Sequence, residues 1–204
     1  APEPRMKSNL GIRRRLAPLL DNDRRKIELA NSLLFTLPGS PIVYYGDEIG
    51  MGENLDLPDR NGVRTPMQWD DSPYAGFTRG KTSSEFVKGK LGYQNVNVAS
   101  QINDPDSLFN AMKRMIAVRR KHAAFGSSSM QWVDANNPAV AVYIREYEDD
   151  TMLILNNLSS STQSVKLPIQ YQKNYFDLFA GDAHVLDEAL TLQPYEYLWL
   201  QMQK

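Results

Sequence analysis

The sequence predicts an α+β chain in two parts, with helices and one buried strand first and a small antiparallel β domain after them. Three observations lead there. Residues 1–125 hold about three helical stretches but a single continuous apolar run, Pro41 to Tyr45. Residues 50–104 have little periodicity and much Gly, Pro, Asn and Asp. After residue 126 short alternating runs separated by turn residues take over. A lone buried strand cannot hydrogen-bond its own edges, and both of its apolar faces need covering. The first part therefore reads as the tail of a larger α/β domain.

The elements follow in order. Asn9 to Leu20 reads as one short helix or two, broken near Pro18. Asn22 or Asp23 caps the next helix, where Ile27, Ala30, Leu33, Leu34 and Leu37 keep helical spacing until Pro38-Gly39 stops it. Pro41 to Tyr45 reads as a strand buried on both faces, followed by Gly46-Asp47-Glu48. The segment 50–104 holds Trp69, Tyr74, Phe77, Phe86 and Tyr93. Disordered linkers are poor in such residues, so an ordered, packed loop is expected. Asp104-Pro105-Asp106-Ser107 is a helix start, with acids at the positive dipole end. Leu108, Met112, Met115 and Ile116 form the expected buried stripe, and the helix should end near Lys121.

From Ala139 to Tyr147, Val140, Val142 and Ile144 alternate with Ala141, Tyr143 and Arg145. Glu148-Asp149-Asp150 is a turn, and Met152 to Leu155 returns as the second strand of a hairpin. Further strands are expected at 163–167, 174–179, 190–192 and 196–201. Residues 126–204 are expected to fold on their own.

Composition excludes several functions. The 204 residues include 23 basic and 24 acidic side chains, a net charge of -1. That predicts no electrostatic grip on nucleic acid or an anionic membrane. The cluster Arg13-Arg14-Arg15 with Arg24-Arg25-Lys26 is interrupted by Leu16, Ala17, Leu19 and Leu20, so a solvated helix face is expected. The absence of cysteine removes disulfides, thiol catalysis and Cys-type zinc sites, and fits a reducing, cytoplasmic setting. No apolar run approaches the ~18 residues of a membrane span. The start, APEPRMKSN, lacks both a signal-peptide pattern and an initiator Met, so a processed or excised chain is expected.

No self-contained catalytic set stands out. His122 and His184 have no metal-ligand spacing to other residues, and His122 suits a helix C-terminus. There is no GxSxG, P-loop or GxGxxG. Asp47 and Glu48 sit where the end of a parallel strand faces a ligand. Capping a turn or pairing with an Arg is the equal alternative. The stretch DRNGVRTPMQWDD, residues 59–71, gathers Asp59, Arg60, Arg64, Gln68, Trp69 and Asp70. Fixed donors, carboxylates and an aromatic ring are what a polyhydroxylated ligand needs. An internally bonded surface loop fits the same residues.

The run GSPIVYYGDEIGM, Gly39 to Met51, resembles the eighth barrel strand of the α-amylase family of glycoside-active enzymes. RTPMQWD, Arg64 to Asp70, with Ala75-Gly76-Phe77 after it, resembles the signature of the oligo-1,6-glucosidase-like branch. Two features are similar to the branch members that interconvert maltose and trehalose. One is NLGIRRRLAPLL, Asn9 to Leu20, with Asn22-Asp23-Arg24. The other is the short connection from Met51 to Asp59, where the hydrolases carry a longer insertion. The resemblance covers essentially the whole chain, most sharply residues 9–77.

This resemblance implies the last units of a (β/α)₈ TIM barrel at 1–125, with an active-site loop at 50–104, then an antiparallel β-sandwich C-terminal domain at 126–204. A barrel needs eight strands and roughly 250 residues, so most of it lies outside this chain. The family uses a nucleophilic Asp, an acid/base Glu and a third Asp within an Asn-His-Asp motif. Here Ala123 follows His122 and Val185 follows His184, so that motif is absent. No catalytic residue is expected in this chain, and the chain alone is expected to be inactive. Arg60 matches the branch's Arg that reaches the glucose of the innermost subsite. Asp47, Glu48, Asp59, Arg64, Gln68 and Trp69 are expected to support the loop.

The implied substrate of the complete enzyme is a disaccharide, maltose or trehalose. The α-1,4 bond is cut to give a glucosyl-enzyme, the freed glucose turns, and its anomeric hydroxyl re-attacks while water is excluded. No nucleic-acid or membrane partner is expected. Self-association, or association with the remaining barrel portion, would cover the unpaired strand. No cofactor or metal is expected in this chain, and a calcium ion in the complete enzyme would use residues outside it. The alternatives are an α-glucosidase or sucrose isomerase of the same branch, or a non-catalytic sugar-binding or assembly module.

Overall fold

The computed structural model describes residues 13–186 and 189–203. The part of the first expected helix at residues 9–12 lies outside them. Two compact units form: Ala1–Ile27 with Val43–Ala111, and Glu28–Ile42 with Met112–Lys204. Each is described by itself.

In the first unit α1 (Leu16–Leu19) is one turn, with Ala17 buried. Pro18 lies inside that first turn, where a missing N–H breaks no helical bond. α2 (Arg24–Thr36) begins in this unit. Asp23 caps it, its Oδ1 accepting from the amides of Arg25 at 3.0 Å and Lys26 at 3.3 Å. The loop 50–104 is ordered and packed. Ile49, Met51, Met67 and Val87 form its buried centre, with Leu91, Val96, Val98 and Phe109 against them. Within it, α3 (Val98–Gln101) is capped by Asn97, whose Oδ1 accepts from Ser100 N at 2.8 Å.

The strand expected at Pro41 to Tyr45 does not form. The segment has no ladder partner among the described residues, and Ile42 is 84 % exposed. Val43, Tyr44 and Tyr45 are also exposed. The physical reason is that a β-strand is satisfied by its neighbours, and no strand lies beside this one.

α4 (Leu108–Lys121) starts where Ser107 Oγ accepts from Asn110 N at 3.2 Å, and it ends at Lys121 as expected. Arg119, Arg120 and Lys121 place cations at its negative end. Leu108, Met112 and Met115 are buried, but Ile116 is exposed and Ala111 completes the stripe. Position 116 lies one residue further round the helix than Met115, which turns it off the buried face.

The second unit holds β1 (Gln131–Trp132), β2 (Val140–Tyr147), β3 (Asp150–Asn157), β4 (Gln163–Val165), β5 (Asn174–Asp177), β6 (Ala183–Val185), β7 (Leu190–Leu192) and β8 (Tyr197–Met202). A six-stranded sheet runs β1-β2-β3-β8-β5-β6, and β4-β7 make a second sheet. Every pairing is antiparallel. The β2–β3 hairpin closes in register Tyr147↔Asp150, with Glu148 left-handed at φ 51°. Both β1 and β6 were outside the expected set, being too short to show alternation.

Val142, Ile144, Leu153, Leu155, Tyr175 and Leu200 from the large sheet form one core with Val165 and Leu192 from the small one. The alternate residues Tyr143, Arg145, Met152, Ile154 and Trp199 are fully buried too, on the reverse face. That face meets the later part of α2. Trp199 Nε1 donates to Ser32 Oγ at 2.9 Å, and Thr36 Oγ1 lies 2.5 Å from Tyr143 Oη. Arg145 donates to the carbonyls of Ser129 at 2.7 Å, Phe125 at 3.4 Å, Thr36 and Ser127. α2 therefore buries Leu29, Asn31, Ser32, Phe35 and Thr36, while Leu34 of the expected apolar stripe is exposed. The polar groups go inward because the sheet offers them hydrogen-bond partners.

Candidate functional site

The expected site residues lie in the first unit, around a buried guanidinium. Arg15 is only 3 % exposed. Its Nη1 donates to Tyr45 O at 2.8 Å and Asp47 Oδ1 at 3.1 Å, and its Nη2 donates to Val63 O at 2.9 Å. The same guanidinium lies 5.0 Å from the Tyr44 ring centre and 5.1 Å from that of Tyr45. Tyr45 Oη donates to Thr65 O at 2.8 Å. Burial raises the Asp47 pKa, and the attraction of Arg15 only partly offsets it.

This corrects the reading of Arg13-Arg14-Arg15 as a solvated helix face. All three precede α1 and reach across the chain to the loop. Arg13 donates to the carbonyls of Leu55 at 3.2 Å and Leu57 at 2.8 Å. Arg14 pairs with Glu53 at 2.5 Å, and Arg15 N donates to the other oxygen of Glu53 at 3.1 Å. Sequence spacing carries no signal for partners this remote. The one hint was that a cationic run adjoins the apolar stretch Leu16 to Leu20.

Asp47 takes the structural alternative left open for it, pairing with an Arg. Glu48 lies in the same short turn of helix, Asp47–Ile49, and its buried Oε2 has no hydrogen-bond partner among the described residues. Asp59 and Arg60 open the next short turn, Asp59–Val63. Both are exposed, and Arg60 Nε lies 3.8 Å from Asp59 Oδ2, a loose pair. The turn is closed underneath by Asn54 N donating to Gly62 O at 2.9 Å. Gly62 is required there, since a Cβ would stand 2.6 Å from Asn54 O.

The remaining residues of the stretch divide. Gln68 is fully buried, its Nε2 donating to Leu91 O at 3.2 Å and to Val96 O. Asp70 turns onto its own loop, with Oδ1 accepting from Ser72 N at 2.9 Å. Arg64 and Trp69 have exposed side chains. The Trp69 backbone is nevertheless tied, to Ala75 O at 2.9 Å and from Ala99 N at 2.9 Å. Tyr74, Ala75 and Gly76 are left-handed in succession, at φ 60°, 58° and 64°. The structure thus gathers Arg15, Asp47 and the backbone of Val63, buries Gln68, folds half-buried Asp70 back onto its own loop, and leaves Arg60, Arg64 and Trp69 at the surface. His122 lies in the second unit, with Nδ1 3.2 Å from Asp150 Oδ1. Among the described residues no group of three or more His, Cys, Asp or Glu side chains could hold a metal ion. No described helix is long and apolar enough to cross a membrane.

The chain belongs to the α-amylase catalytic-domain family, which it matches over residues 4–128, and residues 130–199 match the maltogenic amylase C-terminal domain. It is 50% identical over 216 residues to a trehalose synthase of Pimelobacter sp., covering 99% of this chain and 38% of that protein. It is 44% identical over 215 residues to the trehalose synthase/amylase TreS of Mycobacterium tuberculosis, covering 99% and 36%. An oligo-1,6-glucosidase of Bacillus cereus is 28% identical, with 84% and 37% covered. The chain therefore spans little more than a third of the length of these relatives.

Two solved structures share the fold. The trehalulose synthase of Pseudomonas mesoacidophila matches with TM-score 0.76 at 23% identity, over 95% of this chain and 42% of that one. The isomaltulose synthase of Protaminobacter rubrum matches with TM-score 0.76 at 24% identity, over 94% and 41%. The expected fold class stands: the last units of a TIM barrel, then an antiparallel C-terminal sandwich. The Ile42 to Tyr45 segment, which the resemblance implied to be a barrel strand, has no strand beside it among the described residues.

Proposed function

We propose that the complete protein interconverts maltose and trehalose, and that this chain supplies part of the sugar-binding loop. The observation that carries the reading is identity of 44% and 50% across 99% of the chain with proteins named for trehalose synthesis. In this reading the α-1,4 bond of maltose is cut, a glucosyl-enzyme forms with retention, and the freed glucose re-attacks through its anomeric hydroxyl. Such chemistry needs two carboxylates ~5 Å apart across the scissile bond. We assign both to the barrel portion outside these residues, so the 204-residue chain alone has no turnover. We also place the barrel-to-sandwich boundary at residues 125 and 126.

Arg60 is the residue we assign to the sugar. A guanidinium offers fixed donors to ring hydroxyls, and a charge-assisted hydrogen bond contributes about 1.5–3 kcal/mol. The exposure of Arg60, beside a turn pinned from below, supports the assignment. The test is to incubate the complete protein and the 204-residue chain separately with maltose and follow trehalose and glucose by NMR. The expected result is trehalose from the complete protein and neither sugar from the chain. Glucose alone from the complete protein would make it a hydrolase, and turnover by the chain would overturn the assignment of the carboxylates.

A further inference from the structure

The loop that bears Arg60 is fastened by three successive arginines from a segment 38–48 residues earlier in the chain. Their targets differ in kind. Arg13 takes two backbone carbonyls and Arg14 takes a carboxylate. Both of these side chains belong to exposed residues. Arg15 alone is buried, and it alone joins two separate pieces of backbone. One is the end of the apolar segment, through Tyr45 O and Asp47 Oδ1. The other is Val63 O, the last residue of the Asp59–Val63 turn that carries Arg60.

Within the turn Asn61 N donates to Pro58 O at 3.2 Å and Arg64 N to Asn61 O at 3.0 Å, and just beyond it Tyr45 Oη donates to Thr65 O at 2.8 Å. Asp59 and Arg60 are exposed, and their mutual pair at 3.8 Å is too long for a strong hydrogen bond. Asn54 N to Gly62 O fixes its height, and Arg15 to Val63 O fixes its far end. We propose that Arg15 is a positioning residue for Arg60: it ties the Arg60 turn to the Tyr45–Asp47 end of the apolar segment and so sets where the Arg60 guanidinium meets a bound glucose unit. Arg15 itself does not touch the sugar. The inference rests on the assignment of Arg60 made above. Its geometric content is the planar fork: two nitrogens of one rigid group set the distance between the two backbone pieces. A lysine ammonium reaches one of them at a time and cannot fix that distance.

The experiment is a double-mutant cycle in the complete protein, with kcat/KM for maltose as readout. Arg60→Ala, Arg15→Lys and the double variant are compared, and melting temperature is recorded for each. The expected result is that Arg15→Lys lowers kcat/KM roughly tenfold in the wild-type background but less than about twofold once Arg60 is alanine. If both single changes lower kcat/KM and their effects multiply, Arg15 acts only through general stability and the inference is overturned. If Arg60→Ala leaves kcat/KM unchanged, the Arg60 assignment itself falls, and the inference with it. Should Arg15→Lys not fold, Asp47→Asn takes its place. It keeps the side-chain volume and loosens the anchor of Arg15, and the same coupling to Arg60→Ala is expected.

Discussion

Ser32 and Trp199 are both fully buried, and the indole Nε1 donates to the serine Oγ at 2.9 Å. Ser32 Oγ in turn donates to Asn156 Oδ1 at 2.9 Å. One small hydroxyl on α2 thus serves a donor on β8 and an acceptor on β3. Ser32→Ala leaves both buried groups short of a partner, and the expected cost is about 2–4 kcal/mol. Urea unfolding of the chain measures it. A change below about 0.5 kcal/mol would mean that water takes the place of the hydroxyl.

The same relationship bears on whether residues 126–204 fold alone. Cut there, the large sheet loses Ser32, Thr36 and Phe125 from its reverse face. Tyr143, Met152, Ile154 and Trp199 then become an exposed apolar patch, and the Arg145 guanidinium loses Thr36 O and Phe125 O. The excised segment is expected to give a poorly dispersed amide NMR spectrum or to self-associate. A sharp, dispersed spectrum from a monomer would show that the sequence-based expectation of independent folding holds without the helix.

Tyr175 gives a pH dependence with a definite sign. It is fully buried on β5, its Oη donates to Tyr171 O at 3.1 Å, and burial pushes its pKa from 10.0 up to about 12. A pKa raised in the folded state means that the stability is present below the unfolded value and is lost as pH rises through the folded one. Between about pH 10 and 12 this group alone should remove about 2–3 kcal/mol. Tyr175→Phe is expected to be about 1 kcal/mol less stable near neutrality, for the lost hydrogen bond, and to unfold less readily in alkali. Melting curves of both proteins across that range check it, and parallel curves would remove Tyr175 as the cause.

Arg60 and Gln68 should separate activity from stability within one loop. Arg60 is exposed, so Arg60→Ala in the complete protein should leave the melting temperature almost unchanged. If Arg60 holds the sugar, kcat/KM should fall about 30- to 1,000-fold, the equivalent of ~2–4 kcal/mol of transition-state binding. Arg60→Lys should recover little, for want of the planar fork. Gln68 is fully buried with two carbonyl acceptors, so Gln68→Ala should lower the melting temperature first and activity through it. An Arg60→Ala protein of normal activity would leave the loop a structural one.

Much of this protein was legible in its sequence, because the responsible physics is local. Asp23 as a cap, the end of α4 at Lys121 and the hairpin turn at Glu148-Asp149 follow from side chains within four residues of one another. The alternation of β2 marked two faces, and the aromatics of loop 50–104 marked it as packed. The motifs from Gly39 to Phe77 carried the family. What tertiary structure decided is what distant partners decide. The apolar segment Ile42 to Tyr45 is no strand, because strand formation depends on neighbours that composition cannot supply. Ser32 and Thr36 face inward, and Leu34 outward, because β3 and β8 offer hydrogen bonds to Ser32 and Tyr143 of β2 offers one to Thr36. Arg15 is buried rather than solvated because Asp47, 32 residues away, and Val63, 48 away, meet its guanidinium. A cation's fate depends on whether an acceptor reaches it, and only the folded chain brings that acceptor near.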